Sequence, residues 1–178
     1  MAETAVAMIV PDADGLVGPW RRTQTGDGAA GMPAHVTLIY PFVPTEKLTT
    51  EGVATAERVL ASFDSFDLAL TECRFWDDGP GTLYLEPEPA QPFVAMTEAL
   101  VRAFPDYPPY GGAFDEIVPH LTVAHGEREL LETIAAALRP ALPLRTHVTD
   151  GVLVEHTADG WQTRNLLPLN RPEATTQS

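Results

Sequence analysis

The sequence predicts an α+β protein of two lobes, each built on an antiparallel sheet, and three observations lead there. Short runs alternate apolar and other residues with period two, as Phe66, Leu68 and Leu70 do, and longer runs between them carry helical stripes such as Val53, Ala56, Leu60 and Phe63. The tripeptide His-x-Thr, set in an apolar run, occurs at His35-Val36-Thr37-Leu38 and again at His120-Leu121-Thr122-Val123. From each motif onward the same order recurs: strand, helix, strand, turn, strand. Sequence identity between the halves is faint, so the repeat is one of architecture. It implies two α+β lobes related by a pseudo-two-fold axis, with the motif strands side by side where the lobes meet.

The elements follow in order. Ala5 to Val10 reads as a strand, broken by Pro11-Asp12-Ala13-Asp14-Gly15, with a short helix at Val17 to Thr23. Gly26 to Gly31, rich in glycine and alanine, reads as a mobile loop. His35 to Phe42 is the first motif strand. Leu48 to Phe63 is a helix with Thr50 at its N-cap. A strand from Phe66 to about Arg74 turns at Asp77-Asp78-Gly79-Pro80-Gly81 and returns over Thr82 to Glu86. Pro92 opens the next helix, Phe93, Met96, Leu100 and Phe104 face the core, and Pro105 stops it. Tyr107 to Phe114 is an aromatic loop leading into the second motif strand, Pro119 to Ala124. Glu127 to Leu138 is a helix with Leu130, Ile134 and Leu138 inward. Three strands close the fold over Leu144 to Thr149, Val152 to His156 and Trp161 to Leu169, with Asp159-Gly160 as a hairpin turn. Residues 1–170 form one bilobal domain on this reading, and 171–178 a flexible tail.

Composition narrows the function. The 178 residues hold ten arginines and one lysine, Lys47, against 25 acidic residues, a net charge of −14. No basic stripe is present, which argues against a grip on long duplex nucleic acid. A phosphate-ester substrate is then small, or a chain end held by local contacts. Cys73 is the one cysteine, so no internal disulfide forms, which fits a reducing, cytoplasmic setting. It reads as a buried thiol. No run has the length of a membrane span. A monomer is expected, with no membrane partner.

The motif itself carries chemistry. In a strand, residues i and i+2 share a face, so His35 points with Thr37 and His120 with Thr122. Two such units facing each other supply an acid, a base and two hydroxyl donors around one small anion. A third match, His147-Val148-Thr149, runs into Asp150-Gly151 and reads as surface strand. His125 and His156 read as ordinary surface or rim residues. No His-x-His or His-Glu-x-x-His pattern occurs, so no metal site is expected.

The stretches PAHVTLIYPF and PPYGGAFDEIVPHLTVAHG resemble the two-histidine (2H) phosphoesterase superfamily, and within it the 2′-5′ RNA ligase-like and RNA 2′,3′-cyclic phosphodiesterase-like proteins. The resemblance runs from about residue 5 to 169. It implies a central cleft between lobes whose helices cover the outer faces of the sheets. It implies hydrolysis of 2′,3′-cyclic phosphates or 2′-5′ phosphodiesters in small nucleotides or RNA ends, and proton transfer by two histidines requires no metal or cofactor. It implies His35 as proton donor, His120 as proton acceptor, and Thr37 and Thr122 as phosphate binders. Tyr110 is a candidate substrate contact in a lid, with Phe114, Tyr40 and Phe42 as further aromatics; Tyr40 and Phe42 read first as core. Arg74 and Arg164 are candidate phosphate contacts. Two alternatives stay open: a cleft that binds a nucleotide or phosphorylated ligand without turnover, and ligase activity on RNA ends.

Overall fold

The computed structural model describes residues 2–113 and 115–173. Phe114 and the last five residues of the expected tail lie outside them. Among the described residues, eight strands form two four-stranded antiparallel sheets. The first has the order β2 (His35–Ile39), β1 (Thr4–Ile9), β7 (Asp150–Thr157), β8 (Gly160–Pro168). The second has the order β5 (Leu121–His125), β4 (Thr82–Glu88), β3 (Phe66–Trp76), β6 (Leu144–Val148). A motif strand forms one edge of each sheet, next to the strand that precedes it in the chain.

After each motif the chain crosses to the other sheet. β3 follows the first motif but belongs to the second sheet, and β7 and β8 follow the second motif but complete the first. The two antiparallel sheets expected are present, and each takes strands from both halves of the chain. The helices reinforce this weave. α1 (Asp14–Gln24) lies against β5, and α4 (Gln91–Ala103) lies against β2, where Thr97 Oγ1 donates to the carbonyl of Leu38 at 2.9 Å. α3 (Thr50–Ala61) packs on β8 and over Gly151, where a Cβ would meet Leu60 Cδ2 at 2.5 Å.

Period-two alternation sorts the first sheet's residues. Val6, Met8, Val36, Leu38, Leu153 and Leu167 join the main apolar core. On the other face Ala5, Ala7, Val152 and Val154 form a smaller patch with Met32, bordered by Tyr40 and Trp161. Alanine at two of these places leaves the face shallow, and a cavity opens above it.

Several local expectations are corrected. Gly26 to Gly31 is not simply a loop: Gly26–Ala29 forms α2, because Thr25 Oγ1 accepts the N–H of Gly28 at 2.9 Å and caps the turn. The cap of α3 is Thr49 rather than Thr50, accepting from Gly52 at 3.0 Å. In α5 (Arg128–Leu138) the buried stripe is Leu131, Ile134, Ala135 and Leu138, and Leu130 faces solvent. Phe104 caps α4 rather than lying within it. Cys73 is half-buried, with burial pushing its thiol pKa up. Phe42 is a core residue, its ring edge-on to Phe104 at 4.8 Å. No helix among the described residues is long and apolar enough to cross a membrane.

Candidate active site

A cavity of about 1400 Å³ lies between the sheets, lined by His35 and Thr37 from β2 and by His120 and Thr122 at β5. The edge position of both motif strands brings these four side chains together. The two imidazoles are held in the same way. His35 Nδ1 lies 2.7 Å from the carbonyl of Pro33, and His120 Nδ1 lies 2.7 Å from the carbonyl of Val118. A carbonyl only accepts, so each Nδ1 carries a hydrogen and each Nε2 is left for the cavity. In both motifs the acceptor sits two residues before the histidine, so a local backbone feature fixes the tautomer twice.

The two rings differ in surroundings. His35 is buried, and burial, then the nearby Arg21 guanidinium, pull its pKa down to about 4; the Pro33 contact and Asp27 pull the other way. Asp27, on α2, places Oδ2 3.7 Å from His35 Nε2. His120 is half-buried, and burial first, then His125, lower its pKa. Its ring meets Trp76 edge-on at 4.6 Å and Tyr84 at 5.7 Å, and those two aromatics stack at 4.1 Å. Tyr84 is also the ladder partner of Thr122.

Arg21, which sequence reasoning missed, is the buried cation beneath the site, with 1% of its surface exposed. Nη1 donates to the main-chain carbonyl of Thr122 at 2.6 Å. Nη2 donates to Asp27 Oδ2 at 3.0 Å and to the carbonyl of Met32 at 3.3 Å. This charge is one cause of the lowered pKa of Asp27, acting against burial, the largest influence, which raises it. Arg74 and Arg164 do not line the cavity; Arg74 pairs with Glu86 at 2.7 Å and Arg164 with Glu155 at 3.5 Å.

Tyr110 lines the cavity, 42% exposed, with its N–H donating to the carbonyl of Tyr40 at 2.7 Å. Its φ of 52° is in the left-handed region, unusual for tyrosine. Tyr40 is half-buried on the cavity wall rather than in the core; its hydroxyl donates to Glu3 at 2.9 Å and its ring meets Trp161 at 6.1 Å. His125 and His156 line the rim, and His147 is exposed beside Asp67 at 2.7 Å, as the sequence suggests. Among the described residues no three His, Cys, Asp or Glu side chains converge as a metal-binding group.

Comparison with known proteins follows the same lines. Among solved structures, TT0787 of Thermus thermophilus matches with a TM-score of 0.65 at 19% identity, covering 97% of this chain and 100% of that one. E. coli LigT complexed with phosphate matches with a TM-score of 0.57 at 15% identity, over 95% of this chain and 98% of that one. The same protein complexed with 3′-AMP matches with a TM-score of 0.57 at 16% identity, over 94% and 98%. At these identities the likeness is one of fold. No curated protein matches the chain significantly. The family model of the 2′-5′ RNA ligase superfamily matches residues 9–160, which takes in both motif strands, and the chain belongs to that superfamily.

Proposed function

We propose that the protein is a metal-independent phosphodiesterase that opens 2′,3′-cyclic phosphates or 2′-5′ phosphodiester bonds in small nucleotides or RNA ends. His120 takes a proton from the attacking water. His35 gives a proton to the departing sugar oxygen. Thr37 and Thr122 hold the non-bridging oxygens as charge develops. The P–O bond to the leaving oxygen breaks as the bond to water forms, and a phosphomonoester leaves. No metal or cofactor enters the scheme. A cytoplasmic setting belongs to the same reading, supported by the single cysteine.

The observation that carries this reading is the matched pair of Nδ1 contacts at Pro33 and Val118. Two imidazoles with the same nitrogen tied to backbone offer the same free nitrogen to one cavity, which is what acid and base on opposite sides of phosphorus require. The phosphate and 3′-AMP complexes of E. coli LigT are ligands of the proposed class.

Charge favours small substrates within that class. Glu3, Asp27, Asp78, Glu98, Asp115 and Glu116 line the cavity, against Arg102 alone among the described lysines and arginines. Such a wall disfavours every phosphate beyond the one being cleaved. The test is turnover by purified protein of a 2′,3′-cyclic mononucleotide, a 2′-5′ dinucleotide and an RNA ending in a cyclic phosphate. Wild type converts the mononucleotide fastest, and the gap to the RNA narrows as salt rises. His35→Ala and His120→Ala each abolish turnover. Binding of a cyclic nucleotide with no turnover by wild type would instead make the cleft a binding module.

A further inference from the structure

The proposed acid needs a proton on His35 Nε2, and most of its surroundings oppose one. The groups that face the ring are Arg21 from α1, Asp27 from α2, the Pro33 carbonyl and, across the cavity, His120. Two of these are cationic or can become so. Of the four, only Asp27 offers a negative charge at the reacting nitrogen.

The geometry makes that offer specific. The Nδ1 hydrogen is committed to Pro33, so a neutral His35 turns a lone pair toward the carboxylate 3.7 Å away. That arrangement is repulsive. It becomes attractive only when Nε2 carries a proton. Asp27 is also held from two sides. Arg21 Nη2 donates to Oδ2, and the N–H of Gly28 donates to Oδ1 at 2.7 Å. These donors favour the ionised carboxylate, so a proton arriving between Asp27 and His35 settles on the ring. His120 pairs with no carboxylate among the described ion pairs; Trp76 and Tyr84 stand against its ring. The two motifs are alike in backbone, and of the two rings His35 has the carboxylate partner among the described ion pairs.

We infer that Asp27 is the positioning residue that makes His35 the acid, raising the affinity of Nε2 for the proton that the leaving oxygen takes. Arg21 keeps the carboxylate from accepting that proton itself. In the step, the Nε2–H bond breaks as the O–H bond of the leaving group forms, and His35 ends neutral. His120 ends protonated, and exchange with solvent resets both. The inference rests on the proposed hydrolysis.

Asp27→Asn tests it, because the amide keeps an oxygen for Gly28 and nearly the same shape while losing the charge. Two readouts are taken: the His35 pKa by NMR in the free protein, and the pH profile of kcat for adenosine 2′,3′-cyclic monophosphate. The expected result is a lower His35 pKa and a limb of kcat moved to lower pH, with a loss that grows from acid to neutral pH. At neutral pH kcat falls about tenfold, one pH unit's worth of proton affinity. KM does not rise, since a negative charge has left the anion's cavity. An unchanged His35 pKa and unmoved limb overturn the inference, and so does a uniform loss of kcat at every pH with a raised KM, which marks a structural role. If Asp27→Asn fails to fold, Asp27→Glu, which shifts the carboxylate by one methylene, must move the same limb. Absence of turnover by wild type would instead remove the proposed hydrolysis, while the NMR titration would still decide whether Asp27 raises the affinity of Nε2 for the proton.

Discussion

Arg21 Nη1 donates to the main-chain carbonyl of Thr122 at 2.6 Å, across 101 residues of sequence. The bond ties α1, which follows the first strand of one sheet, to the motif strand at the edge of the other. The same guanidinium holds Asp27, so Thr122, Arg21, Asp27 and His35 form one connected line under the cavity. Arg21→Met would leave the Thr122 carbonyl and the Asp27 carboxylate without this donor. Removing one partner of a buried pair costs roughly 3–5 kcal/mol, and the lower end is expected because Asp27 keeps 33% of its side chain exposed. Urea denaturation at neutral pH checks this. Arg21→Lys recovers little, because an ammonium lacks the planar fork that reaches all three acceptors.

The pH dependence of kcat/KM follows from two lowered histidine pKa values. The reaction needs one ring protonated and the other neutral, and both rings titrate below the ordinary 6.5 in the free protein. A bell-shaped profile is therefore expected with its maximum below pH 6.5, its limbs belonging to the pair rather than to either residue. The profile of kcat lies at higher pH, because a bound phosphate anion favours both protonated rings. Initial rates from pH 4 to 9 check both curves; a flat profile would count against paired histidine catalysis.

Stability carries the same signature. Folded His35 titrates near 4 and an unfolded histidine near 6.5. Between these values the unfolded chain takes up a proton that the folded one refuses. Stability is then unaffected above about pH 6.5 and falls as pH drops toward 4, by a quantity on the order of 3 kcal/mol for this ring. His35→Gln flattens that slope. Denaturation curves at pH 7 and pH 4.5 for both proteins measure it.

Replacing either histidine separates its chemistry from its packing. His120→Asn retains a polar side chain beside the Trp76 and Tyr84 rings and loses the titrating nitrogen. A loss of about 10²–10⁴ in kcat is expected for removal of a general acid or base. Single-turnover assays with a cyclic nucleotide measure it, and a melting temperature close to wild type shows that the fold is kept.

Tyr110 is a separate matter of binding. Its place on the cavity wall and its partial exposure suit a stacking contact worth about 1–3 kcal/mol per base. Tyr110→Ala is expected to raise KM roughly tenfold, with kcat little changed. An unchanged KM removes Tyr110 from the substrate contacts.

Much of this site was readable because strands have period two. His35 with Thr37, and His120 with Thr122, follow from spacing alone, and duplication makes them stand out. Arg21 did not stand out. It sits beside Arg22 in a polar-looking helix, and only the i, i+4 relation to Val17 places it on the buried face. Asp27 was hidden by Gly26, Gly28, Ala29 and Ala30, which read as a loop; Thr25 three residues before Gly28 is the capping signal that could have exposed the short helix. The exchange of strands between sheets had no local signal at all, since β3 pairs with β6 through residues about 80 positions apart.

That exchange has a consequence for the chain as a material object. Severed between α4 and β5, the amino-terminal piece keeps β1 and β2 of one sheet and β3 and β4 of the other. The carboxy-terminal piece holds the missing two strands of each. Neither fragment owns a whole layer, so each alone exposes raw hydrophobic seams, and order returns only when both are mixed. Heating the intact molecule should accordingly give a single sharp melt, with no half outliving its twin.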